Sequence, residues 1–114
     1  MIKFHKNEYP LRKNAKKVLI NYRGQARLSK ALWILSGINT HVVIVREQGE
    51  VYLGFSSIEG YPMQNNGGFF SKKLYESLCR IYNVKDNQPI YLIPDDEPST
   101  LSDGKQYLKL NKYN

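Results

Sequence analysis

The 114-residue chain carries a net charge of +7, from 17 Lys and Arg against 10 Asp and Glu. This length suits one domain with one hydrophobic core, and an apolar share of 41% excludes wholesale disorder. Every uninterrupted apolar run is far shorter than the roughly 20 residues that a membrane span needs. The single cysteine excludes an internal disulfide. We therefore expect a soluble, cytoplasmic protein without a membrane partner.

The positive charge is concentrated at the start of the chain. Residues 1–30 contain nine basic residues and one acidic residue, a balance of +8, whereas residues 31–114 balance to −1. Such asymmetry is typical of contact with nucleic acid or another anionic surface. A solvated tail that only aids solubility is the alternative. We interpret 1–17 as a basic arm or edge segment and 18–114 as a single domain.

The first predicted elements are a short strand and a short helix. The strand covers 18–22 and is closed by the turn residues Arg23–Gln25. Ser29 is placed to cap a helix over about 30–36, and Gly37 is placed to end it. Because this helix is apolar nearly all round, we expect it to be buried on most sides.

The middle of the chain reads as two pairs of strands. A four-residue connection containing a glycine separates strands at 42–46 and 51–55, which predicts a hairpin. The tetrapeptide Asn65–Gly68 is typical of a turn, and it separates short strands at 61–64 and 69–70.

The last third combines the clearest helix with a final strand pair. Ser71 is placed to cap an amphipathic helix over about 72–83, whose apolar residues recur at helical spacing. Strands are expected at 89–93 and 106–110, on either side of an acidic loop. The sum is an α+β domain with a mostly antiparallel sheet, one short buried helix and one amphipathic helix. No internal repeat is visible.

The order of features in residues 24–53 is a familiar one. A glycine turn leads to a short strand, a Ser29-Lys30 opening, a short helix that ends at Gly37-Ile38, and a hairpin. This order resembles the AbrB/SpoVT family of swapped-hairpin DNA-binding domains, and Leu32 falls on the family's helical leucine.

The chain departs from the pattern of this family at two places. Ser29 replaces the usual proline, and Asn39–His41 lacks the Gly-Asp that normally precedes the hairpin. The rest of the chain is unmatched. The resemblance implies an intertwined homodimer whose basic residues near Arg23 and Arg27 face DNA.

Residue patterns for catalysis or metal binding are weak. His5 and His41 are far apart, and neither has a carboxylate at a recognisable spacing. Cys79 lies close to the apolar face of the second helix, so we expect a buried, inert thiol. The acidic residues around Asp95 and Asp103 lack the spacing of a calcium loop. We expect no enzyme, no metal and no cofactor.

The sequence contains more candidate residues for phosphate binding than for catalysis or metal binding. Alternation along the first strand would turn Val18, Ile20 and Tyr22 inward, which would leave Lys17 and Arg23 together on the other face as a phosphate track. Phosphate contacts require several cations along one face. The candidate nucleic-acid-binding residues are Lys13, Lys16, Lys17, Arg23, Arg27 and Lys30.

Two functions follow from this material. The first is a small, non-enzymatic nucleic-acid-binding protein, with DNA favoured, that acts as a regulator or accessory factor and forms a homodimer. The alternative is a phage or mobile-element module that docks on a host or virion protein, which the small size and the two-signed charge layout favour.

Overall fold

The computed structural model describes residues 15–113. The predicted basic arm therefore lies mostly outside the described residues, and Lys13 lies outside them as well. A 3-10 turn over Ile34–Ser36 directly follows the first helix. The helices and strands, in chain order, are β1 Val18–Ile20, β2 Gln25–Leu28, α1 Lys30–Trp33, β3 His41–Glu47, β4 Glu50–Ser56, β5 Tyr61–Pro62, β6 Gly68–Phe70, α2 Lys72–Tyr82, β7 Ile90–Pro94, β8 Ser99–Thr100 and β9 Gln106–Lys112.

The strands form one antiparallel sheet that curls into a near-closed barrel. Their order is β5-β3-β4-β9-β7-β1-β2-β6, and β8 pairs with β9 beside this path. The two strands at the ends of the order, β5 and β6, contact each other through the turn that joins them. The expected, mostly antiparallel sheet with two helices is confirmed and is compatible with the α+β class, whereas the sequence does not predict the closure of the sheet.

The barrel is built from two halves that pair in the same way. The first half is β1-β2-α1-β3-β4, and the second half is β5-β6-α2-β7-β9. The first strand of each half pairs with the third strand of the other half, since β1 pairs with β7 and β5 pairs with β3. The second strands of the two halves pair with each other, and so do the fourth strands. This exchange relates the halves by a pseudo-two-fold axis.

The register of the pairs obeys the same symmetry. Between β2 and β6, Ala26 lies opposite Phe69 on the axis, with the pairs Gln25–Phe70 and Arg27–Gly68 on either side. Between β4 and β9, Tyr52 lies opposite Lys109 in the same way. Position 27 in the first half therefore corresponds to position 70 in the second, and position 25 corresponds to position 68.

The turns between the first and second strands of the two halves are also equivalent. Gly24 and Gly67 both have a positive φ, 87° and 81°. The carbonyl of Gly24 accepts from Ser71 N, and that of Gly67 accepts from Leu28 N, both at 2.9 Å. The matching bonds within the turns are Asn21 N to Gln25 O and Gly24 N to Asn21 O, against Gln64 N to Gly68 O and Gly67 N to Gln64 O.

The relation between the halves is a structural repeat that is not visible in the sequence. Helix α2 has 11 residues, whereas α1 has only 4 before its 3-10 turn. The connection from β7 to β9 is also much longer than the tight turn from β3 to β4. These differences in length hide the correspondence from a search along the sequence.

The barrel interior and the inner side of α2 form the hydrophobic core. Helix α2 buries Tyr75, Leu78 and Cys79, and the Ser71 hydroxyl accepts from Leu74 N at 3.0 Å. The predicted amphipathic helix, its cap and the buried thiol are therefore confirmed. The most deeply buried large side chains are Ile20, Leu28, Leu32, Val42, Leu53, Ile90, Leu92 and Leu110.

The expected burial of the helix at 30–36 is wrong. Only Leu32 and Ser36 are buried there, whereas Ile34 and Leu35 are 54% and 50% exposed. A short helix presents one side to the barrel, and no second layer of described residues covers its other side. The apolar character of this segment therefore reflects an exposed surface as well as a core anchor.

The inward orientation expected for Tyr22 is also wrong. Val18 and Ile20 are buried as predicted, but β1 ends at Ile20 and Tyr22 lies exposed in the following turn. Alternation along the strand therefore does not extend to Arg23. Among the described residues, no helix is long and apolar enough to cross a membrane.

Candidate nucleic-acid interface

The predicted basic residues of the described chain follow the β1–β2 hairpin. Lys16 and Lys17 precede β1 and are partly buried, whereas Arg23 lies in the turn and Arg27 lies on β2, both exposed. Ser29 N donates to Lys17 O and Ser29 Oγ accepts from Lys17 N, at 2.9 and 3.0 Å. The segment before β1 and the start of α1, which includes exposed Lys30, therefore lie together at one end of the hairpin, with Arg23 at the other.

The turn that presents Arg23 is held by side-chain hydrogen bonds. Asn21 Oδ1 accepts from Arg23 N at 3.0 Å and from Gln25 N at 3.1 Å, an arrangement that replaces strand pairing with a local turn. Arg23 Nε donates to the Tyr22 hydroxyl at 3.3 Å, and its guanidinium lies 5.5 Å from the centre of that ring. The cation–π contact orients the arginine while leaving it exposed.

Gly24 fixes the position of this turn against the second half. An added Cβ at Gly24 would lie 2.5 Å from Lys72 N, which is backbone at the start of α2. Together with the hydrogen bond from Ser71, this close approach seats the hairpin on the second half. Only glycine combines the positive φ with the absence of a side chain that the contact requires.

An open concavity of about 480 Å³ crosses the pseudo-two-fold axis on the outer side of β2 and β6. Gln25 and Arg27 project outward from β2, because Ala26 and Leu28 between and beyond them are buried. Gly68 lies opposite Arg27 and has no side chain, and the Asn66 Oδ1 and Gln64 Oε1 atoms lie close to its Cα. The lining residues are Leu19, Asn21, Gln25, Ala26, Arg27, Gln64, Asn66, Gly68, Phe69 and Phe70.

Among the described residues that line the concavity, the one charged residue is Arg27 of the first half. Residues 15–28 contain four basic residues and no acidic one. The equivalent residues 58–71 contain Glu59 and no basic residue. The two sides of the axis therefore differ in electrostatic potential although they share one backbone arrangement.

The chemistry available here is recognition of anions and of flat polar groups. An arginine forms two parallel hydrogen bonds to a phosphate, and side-chain amides match the donor and acceptor pattern of a base edge. Among the described residues, no group of three His, Cys, Asp or Glu side chains could hold a metal ion.

The groups with shifted pKa values lie away from this concavity. Burial raises the pKa of Tyr75 to about 12, and its hydroxyl donates to Gln88 O at 2.7 Å. Burial also raises the pKa of Tyr82. A hydrogen bond to Asp103 raises the pKa of Tyr107 to about 12 and lowers that of Asp103. These shifts accompany hydrogen bonds and packing that stabilise the fold.

The sequence did not indicate Gln64, Asn66 or Phe70 as part of this surface. The sequence predicts a turn at Asn66 and two short strands that contain Gln64 and Phe70, and only the pairing of β6 with β2 brings these residues beside Arg27. The amide side chains in and around this turn are the feature of the sequence that could have indicated the surface. The chain matches no protein-family model, no curated protein and no solved structure.

Proposed function

We propose that the protein is a small DNA-binding regulator or accessory factor that holds the phosphate backbone through its basic N-terminal segment. The observation that carries the proposal is the β1–β2 hairpin, where exposed Arg23 and Arg27 stand on a segment with four basic residues and no acidic one. Several cations along one hairpin attract phosphates through counterion release. The proposed contact residues are Lys13, Lys16, Lys17, Arg23, Arg27 and Lys30.

The likeness of residues 24–53 to AbrB/SpoVT domains stays part of the proposal. An intertwined arrangement of two chains is what that resemblance implies. Within this single chain, β1 pairs with β7 and β5 pairs with β3, so each half contributes strands to the other.

An exposed aliphatic cluster supports the proposed homodimer, and equally the alternative of docking on a phage or host protein. Ile38 and Ile58 are 93% and 86% exposed, and Ile34 and Leu35 lie exposed just before Ile38. The segments of Ile38 and Ile58 lie together, because the Ser57 hydroxyl donates to Asn39 Oδ1 at 2.8 Å. Exposed aliphatic side chains grouped in this way favour association. The molar mass in solution tests the homodimer. A mass equal to two chains of 13.3 kDa would support it, and a mass equal to one chain would contradict it.

The salt dependence of DNA binding tests the proposed function. The affinity of the full chain for a labelled duplex is measured by fluorescence anisotropy at increasing salt, beside a labelled single strand. For about five phosphate contacts, log affinity is expected to fall with log salt at a slope of about −4 to −5. Failure to bind either strand form at low salt would refute the proposal.

Two double variants distinguish DNA binding by the hairpin from DNA binding that depends only on the net charge of the protein. The double variant Arg23→Gln, Arg27→Gln is expected to make the slope less steep by about 1.8, because two phosphate contacts are lost. The control is Arg46→Gln, Lys105→Gln, which removes two exposed cations from β3 and from the connection before β9. An equal effect of both double variants would show that binding follows net charge and not the hairpin.

A further inference from the structure

The concavity on the pseudo-two-fold axis is symmetric in backbone but not in chemistry. Arg27 on β2 and Phe70 on β6 occupy equivalent positions, since each lies one pair away from the axis on opposite strands. Arg27 is exposed, and Phe70 is 65% exposed. In the two turns, Arg23 corresponds to Asn66. One half therefore presents guanidinium groups where the other presents an amide and an aromatic ring.

The second half is poorly suited to phosphate. The residues of the second half that line the concavity carry no charge, and the first cations that follow them in the chain are Lys72 and Lys73 at the start of α2. Gln64 is exposed, and its side chain makes no hydrogen bond within residues 15–113. Asn66 Oδ1 accepts from Gly68 N at 3.0 Å, so the amide nitrogen is the group that it offers to a ligand.

These uncharged groups are suited to bases. A glutamine amide matches the donor and acceptor pattern of an adenine edge, and an asparagine amide nitrogen donates to a single acceptor of a base. An exposed phenylalanine packs on a thymine methyl group or enters between base steps. Phosphate contacts fix position on DNA, whereas contacts to bases discriminate between sequences. The first half of the face thus offers contacts to phosphates, and the second half offers contacts to bases.

We infer that the halves divide DNA recognition between them. The first half holds the phosphate backbone through Arg23 and Arg27, and the second half faces the bases with Gln64, Asn66 and Phe70. Each chain therefore engages an asymmetric stretch of duplex across its pseudo-two-fold axis. This inference rests on the proposed function, which concerns the phosphate contacts alone.

Arg27→Gln and Phe70→Gln form a matched pair for the test, because they place the same residue at equivalent exposed positions. The full chain first enriches its preferred duplexes from a randomised pool. The affinities of the wild type and both variants are then measured for an enriched duplex and for a scrambled duplex of the same composition, over a range of salt. Circular dichroism checks that both variants are folded.

The two variants are expected to fail in different ways. Arg27→Gln makes the salt slope less steep by about 0.9 and leaves the preference for the enriched duplex unchanged. Phe70→Gln leaves the slope unchanged and lowers the preference about 5-fold or more, because one contact between an aromatic ring and a base is lost.

Three results would overturn the inference. The first is a Phe70→Gln variant that flattens the salt slope as much as Arg27→Gln does, and the second is a Phe70→Gln variant that keeps the full preference for the enriched duplex. A wild type that binds duplex with steep salt dependence but prefers no sequence would also overturn it, while leaving the proposed function standing. Absence of any duplex binding by the wild type would instead refute the proposed function itself.

Discussion

The two halves of the barrel differ most in their helices and least in their turns. Helix α1 places a single apolar side chain, Leu32, fully inside the barrel, whereas α2 buries three residues along 11. Both halves nevertheless open with a turn around a glycine of positive φ and pair in the same register. The turns and the strand pairing therefore define this barrel. The helices cover it to different extents.

The halves also differ in the connection between their last two strands. In the first half, Gln48 and Gly49 form a tight turn with positive φ at both residues. In the second half, the connection is longer and contributes β8, which pairs with β9. The ring of Tyr107 then packs over Gly54, where a Cβ would lie 2.6 Å from the ring. Within the connection, Ser102 N and Ser102 Oγ both donate to Glu47 Oε1, so the longer connection also contacts the first half.

Substitution of the turn glycines is expected to give the largest effect. Gly24→Ala combines backbone strain at positive φ with a clash against backbone atoms, and we expect a loss of about 4 kcal/mol in the free energy of unfolding. Gly67→Ala should lose somewhat less, since its closest neighbour is the Trp33 side chain. Urea denaturation measures both losses.

Gly104→Ala is the control for the turn glycines. Gly104 also has a positive φ, 79°, but nothing lies within 4 Å of its added Cβ. Only the strain remains, so a loss of about 1 kcal/mol is expected. If Gly24→Ala costs no more than Gly104→Ala, the contact between the hairpin and α2 does not stabilise the barrel.

Truncation of one leucine in each helix is expected to give the next largest effect. Leu32 and Leu74 each stand three residues after the serine that precedes their helix, but Leu32 is fully buried and Leu74 only partly. Leu32→Ala should cost about 3 kcal/mol, and Leu74→Ala about 1 kcal/mol because its cavity opens to solvent. Equal losses in urea denaturation would show that the two helices anchor the barrel equally.

The sequence predicted the local features of both halves and missed the way they join. Apolar periodicity and cap residues located α2, and the turn at Asn65–Gly68 was recognised from its residues alone. The pairing of β2 with β6 joins segments about 43 positions apart, and no local pattern encodes it. Arg23 and Arg27 could be proposed from charge, whereas Phe70 could not, because its place beside them depends on that pairing.

The smallest expected effect concerns the longer connection of the second half. The Tyr107 hydroxyl donates to Asp103 Oδ2 at 2.6 Å, which lowers the pKa of Asp103 and raises that of Tyr107 to about 12. The ionised carboxylate stabilises the fold above about pH 4, and this contribution is lost as pH falls through the lowered pKa of Asp103. The neutral hydroxyl contributes below about pH 10, and its contribution is lost as pH rises towards 12.

Tyr107→Phe is therefore expected to destabilise the protein most near neutral pH. The loss should be below about 1.5 kcal/mol there, because one hydrogen bond is removed at an exposed carboxylate. Urea denaturation at about pH 3, 7 and 11 should show the difference from wild type shrinking at both extremes. Tyr91→Phe is the control, since the Tyr91 hydroxyl makes no hydrogen bond within residues 15–113, and it should give no such pH dependence. A loss for Tyr107→Phe that stays constant over this range would assign the effect of Tyr107 to the packing of its ring over Gly54, and not to Asp103.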